Sequence, residues 1–476
     1  MNAVLRRREW ATMSPIERRA LTDRSLDDVL TPSLRADIIA LLDDVRQRGD
    51  AAICEATLHF DGVSLRPDQL RVGADELMSA EVSKKVHSAL VDAIDHVRRF
   101  NEAVRARMTD WSMEISPGTQ VGEKVTPITS VGLFVPGGKA SYPSVAYQLG
   151  VPAIVAGVPR IAVMVPPLPD GKGRVDPAVL VVCRLLGINE VYRANGPAGL
   201  AALGFGTATI KPVRKIVGPG SPAVTAAQVE LQRHGVATMM VLGPTESMMV
   251  ADESTDAQRA ALDLLIEAEH GEDSTVLLVA TNRDVIDAID RELDHLIAQL
   301  PTVRATAARA ALGVNGGAVL TASLSEACDV VNAFAPEHLQ LAIQRPRADD
   351  LVAQINNAGE ILVGQDTPFS AANFVLGCPA ADLGDLGGGV DRAADGADRR
   401  RVRDLGDQRH VLPGGEAGKQ VVELEHEADM RAAPVRQLAI VHLVDALALD
   451  LDLAAAGRVQ PADQVEQRGL ARAGRP

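Results

Sequence analysis

Glu337 and His338 stand side by side in AFAPEHLQLAI, an otherwise largely apolar stretch from Ala333 to Ile343. A carboxylate next to an imidazole is a natural acid-base pair: the ring takes a proton near neutral pH, and the carboxylate orients it or activates a water. The competing reading is a surface turn, with Pro336 setting φ and Glu337 favouring a helix start. A second pair, Glu267 and His270, lies three residues apart in LLIEAEHGEDS. On a helix that spacing puts both side chains on one face, where an oxygen and a nitrogen suit a metal such as Zn²⁺, or simply solvent at the end of a last turn. Two Gly-rich turns, VPGGKASYPS from Val135 to Ser144 and VGPGSPAV from Val217 to Val224, each follow an apolar run. Such turns leave backbone N–H groups free at a helix N-terminus and so suit a cofactor phosphate. Neither is a GxGxxG, and as isolated text both read equally as plain turns.

The elements that must hold these residues alternate. From Val131 to Val241 short apolar strands (VGLFVP, RIAVMVPP, NEVYRANG) exchange with Ala-rich helices, and a second such unit runs from Met248 to Gly364 through MMVADE, STVLLVA, AVLTAS and EILVG. This alternation predicts parallel α/β units with a cleft between two similar halves. TDAQRAALDLLIEAEHGEDS opens with a Thr255–Gln258 capping box and closes at Gly271, which predicts a helix ending next to Glu267 and His270. Ahead of these units the text is helical. Helices are expected at Ser14 to Leu21 and at Pro32 to Gly49, where Leu34, Ile38, Leu41, Leu42 and Val45 recur at helical spacing, and along the charged Asp75 to Arg107 segment.

A chain of 476 residues, 46% hydrophobic and 23% charged, is an ordinary globular protein of two or more domains. The formal net charge of −15 argues against a nucleic-acid partner, which needs a concentrated basic face. Cys54, Cys183, Cys328 and Cys378 form no CxxC pair, the N-terminus lacks a signal-peptide apolar region, and no long uncharged apolar run follows. A cytoplasmic protein with no membrane partner is expected. Beyond Phe374 there is no aromatic residue and only one lysine, Lys419, while Arg, Ala, Gly and Asp dominate. That abrupt change near Ala380 reads either as a loosely structured tail or as a frameshifted C-terminus.

FVPGGKASYPS, KIVGPGSPAV, GPTES, EAEHGEDS and APEHL, in this order, resemble the motif set of the histidinol dehydrogenase family over roughly Trp10 to Gly377. The resemblance implies an NAD-dependent, zinc-containing homodimer that oxidises a small primary alcohol through an aldehyde to a carboxylate. It implies an α/β fold of two incomplete Rossmann-like domains. The expected division is an N-terminal helical segment (1–27), a catalytic and metal domain (28–133 with 245–378), an NAD-side domain (134–244) and an atypical tail (379–476) in place of the family's small dimerisation domain. Carried over by motif, His338 is the base, Glu337 activates the water that attacks the aldehyde, and zinc orients the substrate on Glu267, His270 and Asn373. Thr245, Glu267, His270, Glu337 and Asn373 face the substrate, and Phe134, Ala198 and Ser221 face NAD.

The chain departs from the family pattern at several of these positions. Glu267 stands for an amide and Asn373 for an acid, an exchange that leaves the ligand charge unchanged. Phe134, Ala198, Ser221 and Thr245 stand for tyrosine, glutamine, asparagine and serine. These changes point to a paralogous branch acting on another small polar alcohol, such as a sulfonated diol; a truncated, inactive relative is the other class left open.

Overall fold

The computed structural model describes residues 3–22, 30–137, 141–238, 244–371, 387–391 and 420–422. The chain begins with β1 (Arg7–Glu9) and α1 (Pro15–Thr22), then α2 (Pro32–Arg48), α3 (Asp50–Asp61), α4 (Ala74–Ser79), α5 (Lys84–Arg105) and the hairpin β2 (Trp111–Ser116) and β3 (Thr119–Pro127). The first α/β unit follows as β4 (Val131–Phe134), α6 (Pro143–Val155), β5 (Ile161–Val165), α7 (Pro177–Leu185), β6 (Glu190–Arg193), α8 (Gly196–Phe205), β7 (Lys215–Val217), α9 (Pro222–Gln232) and β8 (Ala237–Thr238). The second is β9 (Glu246–Ala251), α10 (Ala257–Ala268), β10 (Thr275–Ala280), α11 (Arg283–Ile297), α12 (Thr302–Ala310), β11 (Gly317–Leu320), α13 (Leu324–Phe334), β12 (His338–Leu341), α14 (Arg345–Val352) and β13 (Glu360–Val363). Two short strands, β14 (Gly387–Asp391) and β15 (Gln420–Val422), come from the Arg-rich tail.

The strands form two parallel sheets, ordered β6-β5-β4-β7-β8 and β1-β11-β10-β9-β12-β13-β15, while β2, β3 and β14 form a separate antiparallel sheet. Both parallel sheets bury both faces, and the period of two sorts their residues. In the first, Leu133, Val163, Val191 and Val217 enter one core, and Phe134, Met164, Tyr192 and Ile216 the other. In the second, Met249, Leu278, Ala318 and Leu362 face one core, and Met248, Leu277, Val319, Leu339 and Ile361 the opposite one.

Three expectations change. The N-terminal segment is not only helical: β1 is an edge strand parallel to β11, because Asp290 of α11 accepts the N–H groups of Val4 and Leu5 (2.9 and 2.8 Å). Residues 28–133, expected with the second α/β unit, pack instead on the five-stranded sheet over 32–105, since Ile38, Leu42 and Ile53 share a core with Leu200 and Leu231, and Leu90 and Val97 share one with Tyr147 and Leu149. The Asp75 to Arg107 helix is broken in two, because Ser83 caps a fresh start at α5 by accepting the Val86 N–H at 3.3 Å. Among the described residues no helix is long and apolar enough to cross a membrane.

Candidate functional site

β12 opens with His338, and parallel register sets it directly beside Ser247 of β9 on one side and Glu360 of β13 on the other. Leu339 and Ile361 face one core, so the residues just before them, His338 and Glu360, face the other, together with Gln340. Glu337 therefore leads into a buried central strand and does not open a helix. The turn that delivers it is tight: Ala335, at the end of α13, has φ of 54°, the one non-glycine positive φ among the described residues.

The connection β9-α10-β10 joins two parallel strands, so α10 runs back along the sheet and delivers its C-terminal end to the strands' amino ends. Asp256 caps that helix, accepting the N–H groups of Gln258 and Arg259. Thr255 takes no part in the expected box, since its hydroxyl donates to the Ala342 carbonyl at 2.8 Å. The helix ends at Ala268, which separates the expected pair: Glu267 is fully buried, while His270 lies beyond the helix end and is exposed, its Nδ1 3.2 Å from the Glu267 carbonyl. Glu267 Oε2 accepts the Ser247 hydroxyl at 2.6 Å. One turn earlier Asp263 Oδ2 accepts from Gln340 Nε2 at 2.9 Å, and Gln340 also donates to the Thr367 carbonyl at 3.0 Å.

His338 thus sits among three carboxylates. Its Nε2 lies 3.7 Å from Glu337 Oε1 and its Nδ1 3.8 Å from Glu360 Oε2, both too long for direct hydrogen bonds. Burial alone drives the imidazole pKa down, but Glu360, Glu337 and Glu267 outweigh it and lift it to about 10. Burial pushes the Glu360 carboxyl up, opposed by the ring and reinforced by Glu267 and Glu337. Ser247, Asp263, Gln340 and Glu360 were not singled out from sequence. The available signal was an acid inside an apolar run: Glu360 opens EILV, and Asp263 is one helical turn before Glu267.

Among the described residues no group of three or more His, Cys, Asp or Glu is placed to hold a metal ion. Asn373 lies outside the described residues. Glu267 is turned to Ser247 and His270 is exposed, so the described residues do not fit zinc. Thr245, half-buried, accepts the Thr275 N–H through its carbonyl at the same end of the sheet.

A nucleotide fits the other sheet better. Its strand order reverses between β4 and β7, the point where α/β sheets bind ligands at the carboxyl ends of their strands. There Gly218, with φ of 142°, lies so close to Phe134 that a Cβ would stand 2.2 Å from the Phe134 carbonyl oxygen. Gln228 of α9 holds the turn by donating to the Gly218 carbonyl at 2.8 Å. Ser221 is exposed at the N-cap of α9 with its side chain making no cap bond, whereas Phe134 and Ala198 are buried in the core and offer no exposed side chain there. This loop edge and the amino end of the other sheet are linked through Arg304, which pairs with Glu269 at 2.9 Å and acts electrostatically on Tyr142 at the start of α6.

The family model described as Histidinol dehydrogenase matches residues 27–381. The chain is 43% identical over 340 residues to histidinol dehydrogenase homolog 2 of Mesorhizobium japonicum, covering 71% of this chain and 76% of that one. It is 42% identical over 343 residues to the histidinol dehydrogenase of a Synechocystis strain, covering 71% and 77%. The crystal structure of histidinol dehydrogenase from Elizabethkingia anophelis superposes with a TM-score of 0.76 at 28% identity, over 83% of this chain and 90% of that one.

Proposed function

Because the chain belongs to the histidinol dehydrogenase family, we propose that it oxidises a small polar primary alcohol through the aldehyde to the carboxylate, with NAD as electron acceptor. The observation that carries the reading is the buried His338 with its Nε2 turned to Glu337, itself about a third exposed. The Gly218 turn and Ser221 would hold NAD, and two molecules bound in turn would each accept one hydride, one per oxidation step.

His338 takes the hydroxyl proton at Nε2 as the first hydride leaves the carbinol carbon, which gives the aldehyde. Glu337 then draws a proton from water so that the oxygen adds to the aldehyde carbon, the protonated His338 returns its proton to the aldehyde oxygen to give the hydrate, and His338, neutral again, takes a hydroxyl proton of that hydrate as the second hydride leaves. Burial of His338, Ser247 and Glu360 keeps bulk water from the proton path. Thr245, Glu267 and His270 line the substrate end, with Asn373 assigned there by motif. The reading includes a homodimer in the cytoplasm.

The test is NADH formation with a panel that contrasts L-histidinol with a sulfonated diol. His338→Asn is expected to abolish turnover and keep the fold by circular dichroism; turnover that persists in the variant overturns the assignment.

A further inference from the structure

Glu360 lies outside the family motifs, yet it is the residue placed face to face with the base. Parallel pairing of β12 and β13 sets His338 and Glu360 opposite one another as the first residues of their strands, with both side chains on the α10 face. They are 5% and 3% exposed. Among the described residues the buried His338 Nδ1 and Glu360 Oε1 find no hydrogen-bond partner, while Glu360 Oε2 stands 3.8 Å from that same Nδ1. A buried carboxylate with no partner is costly, and a fold retains one when a cation within reach compensates it. The groups facing the ring are Glu337 from the preceding turn, Glu360 from β13, and Glu267 and Ser247 from α10 and β9, with Asp263 further back along α10. Among the described residues no arginine or lysine acts on Glu360; the imidazole is the cation it meets.

We propose that Glu360 is the positioning residue for His338: its carboxylate takes the Nδ1–H, so that the ring offers Nε2 to the substrate and is stabilised once Nε2 has accepted a proton. Closing the gap to a hydrogen bond requires a shift of about 1 Å, within reach of a side-chain rotation. The arrangement is that of a carboxylate orienting an imidazole in acyl-transfer and metal sites, built here across two adjacent parallel strands. It gives the orphaned, buried Nδ1 a partner. The inference rests on the reading of His338 as the base.

The experiment needs no substrate. Protein with ¹⁵N-labelled histidine is titrated by long-range ¹H–¹⁵N NMR, and the His338 signals are assigned by their loss in His338→Asn. The ring is expected to titrate far above an ordinary histidine, to carry its last proton on Nδ1, and in Glu360→Gln to lose at least tenfold in proton affinity. Glu360→Asp, which keeps the charge, is expected to lie between the two. A wild-type ring that titrates near the ordinary value, or whose neutral form carries the proton on Nε2, overturns the proposal without recourse to any variant; so does an unchanged midpoint in a folded Glu360→Gln. Kinetics separate the two claims. If His338→Asn abolishes NADH formation while the Glu360→Gln titration is unshifted, only the Glu360 role falls; if His338→Asn remains active, the base assignment itself falls.

Discussion

Ser247 donates its hydroxyl to Glu267 Oε2 at 2.6 Å, joining the central strand of the seven-stranded sheet to the last turn of the helix that covers it. Both residues are fully buried, so the bond has no water to replace it. Ser247→Ala takes a donor from a buried carboxylate and is expected to cost about 1–3 kcal/mol. Urea unfolding checks this: the midpoint falls and the slope is unchanged. A midpoint equal to wild type would mean that other donors hold Glu267.

His338 carries a pH signature. Its folded pKa, about 10, is raised above the unfolded value of about 6.5, so its stabilisation is complete below pH ~6.5 and disappears as pH climbs through the folded value. The stability difference between wild type and His338→Asn should therefore shrink steadily across that window. Turnover should rise over the same range, because the base acts only when neutral. Unfolding curves and initial rates at several alkaline pH values read both trends, and a flat stability difference would contradict the field of three carboxylates.

Asp263 behaves in the same sense for another reason. Burial lifts its carboxyl pKa to about 7, with Gln340 opposing and Glu267 adding to the rise. An acid whose folded pKa is raised costs nothing below its unfolded value near 4, and its penalty grows as pH rises through the folded value. Asp263→Asn keeps the acceptor for Gln340 and removes that penalty, so at pH 8 the variant should gain on the order of 4 kcal/mol, and at pH 4 nothing. Thermal unfolding at the two pH values separates these cases.

At the nucleotide end, two glycines of positive φ make a contrast. Gly218→Ala drives a Cβ into the Phe134 carbonyl and forces apart the ends of β4 and β7; it should cost about 3 kcal/mol and weaken NAD binding. Gly62→Ala, at φ of 67° with open space around it, meets only the left-handed backbone penalty of about 1 kcal/mol. Equal melting temperatures for the two variants would refute the close approach at Gly218.

Much of the architecture was legible in the text. RIAVMVPP, STVLLVA and EILVG became β5, β10 and β13, and the helix expected to close at Gly271 became α10, ending at Ala268. Periodicity and caps are local properties, readable where a side-chain pattern has to match a backbone repeat. The same locality explains the misses. Nothing near Arg7 says that Asp290 will draw it into a sheet, nothing near Leu42 says which sheet α2 will cover, and the Thr255–Gln258 pattern was outcompeted by a better acceptor one residue on.

By itself the sequence determined the two α/β units, the family, and the adjacency of Glu337 and His338, since each is written in consecutive residues. Only the tertiary structure decided that His338 would be enclosed by Glu267, Ser247 and Glu360 while His270 stayed outside. That enclosure depends on the order β9-β12-β13 and on register. Strand order is settled by burying both faces of the sheet at once, and a shift of a single residue would turn His338 to the opposite core.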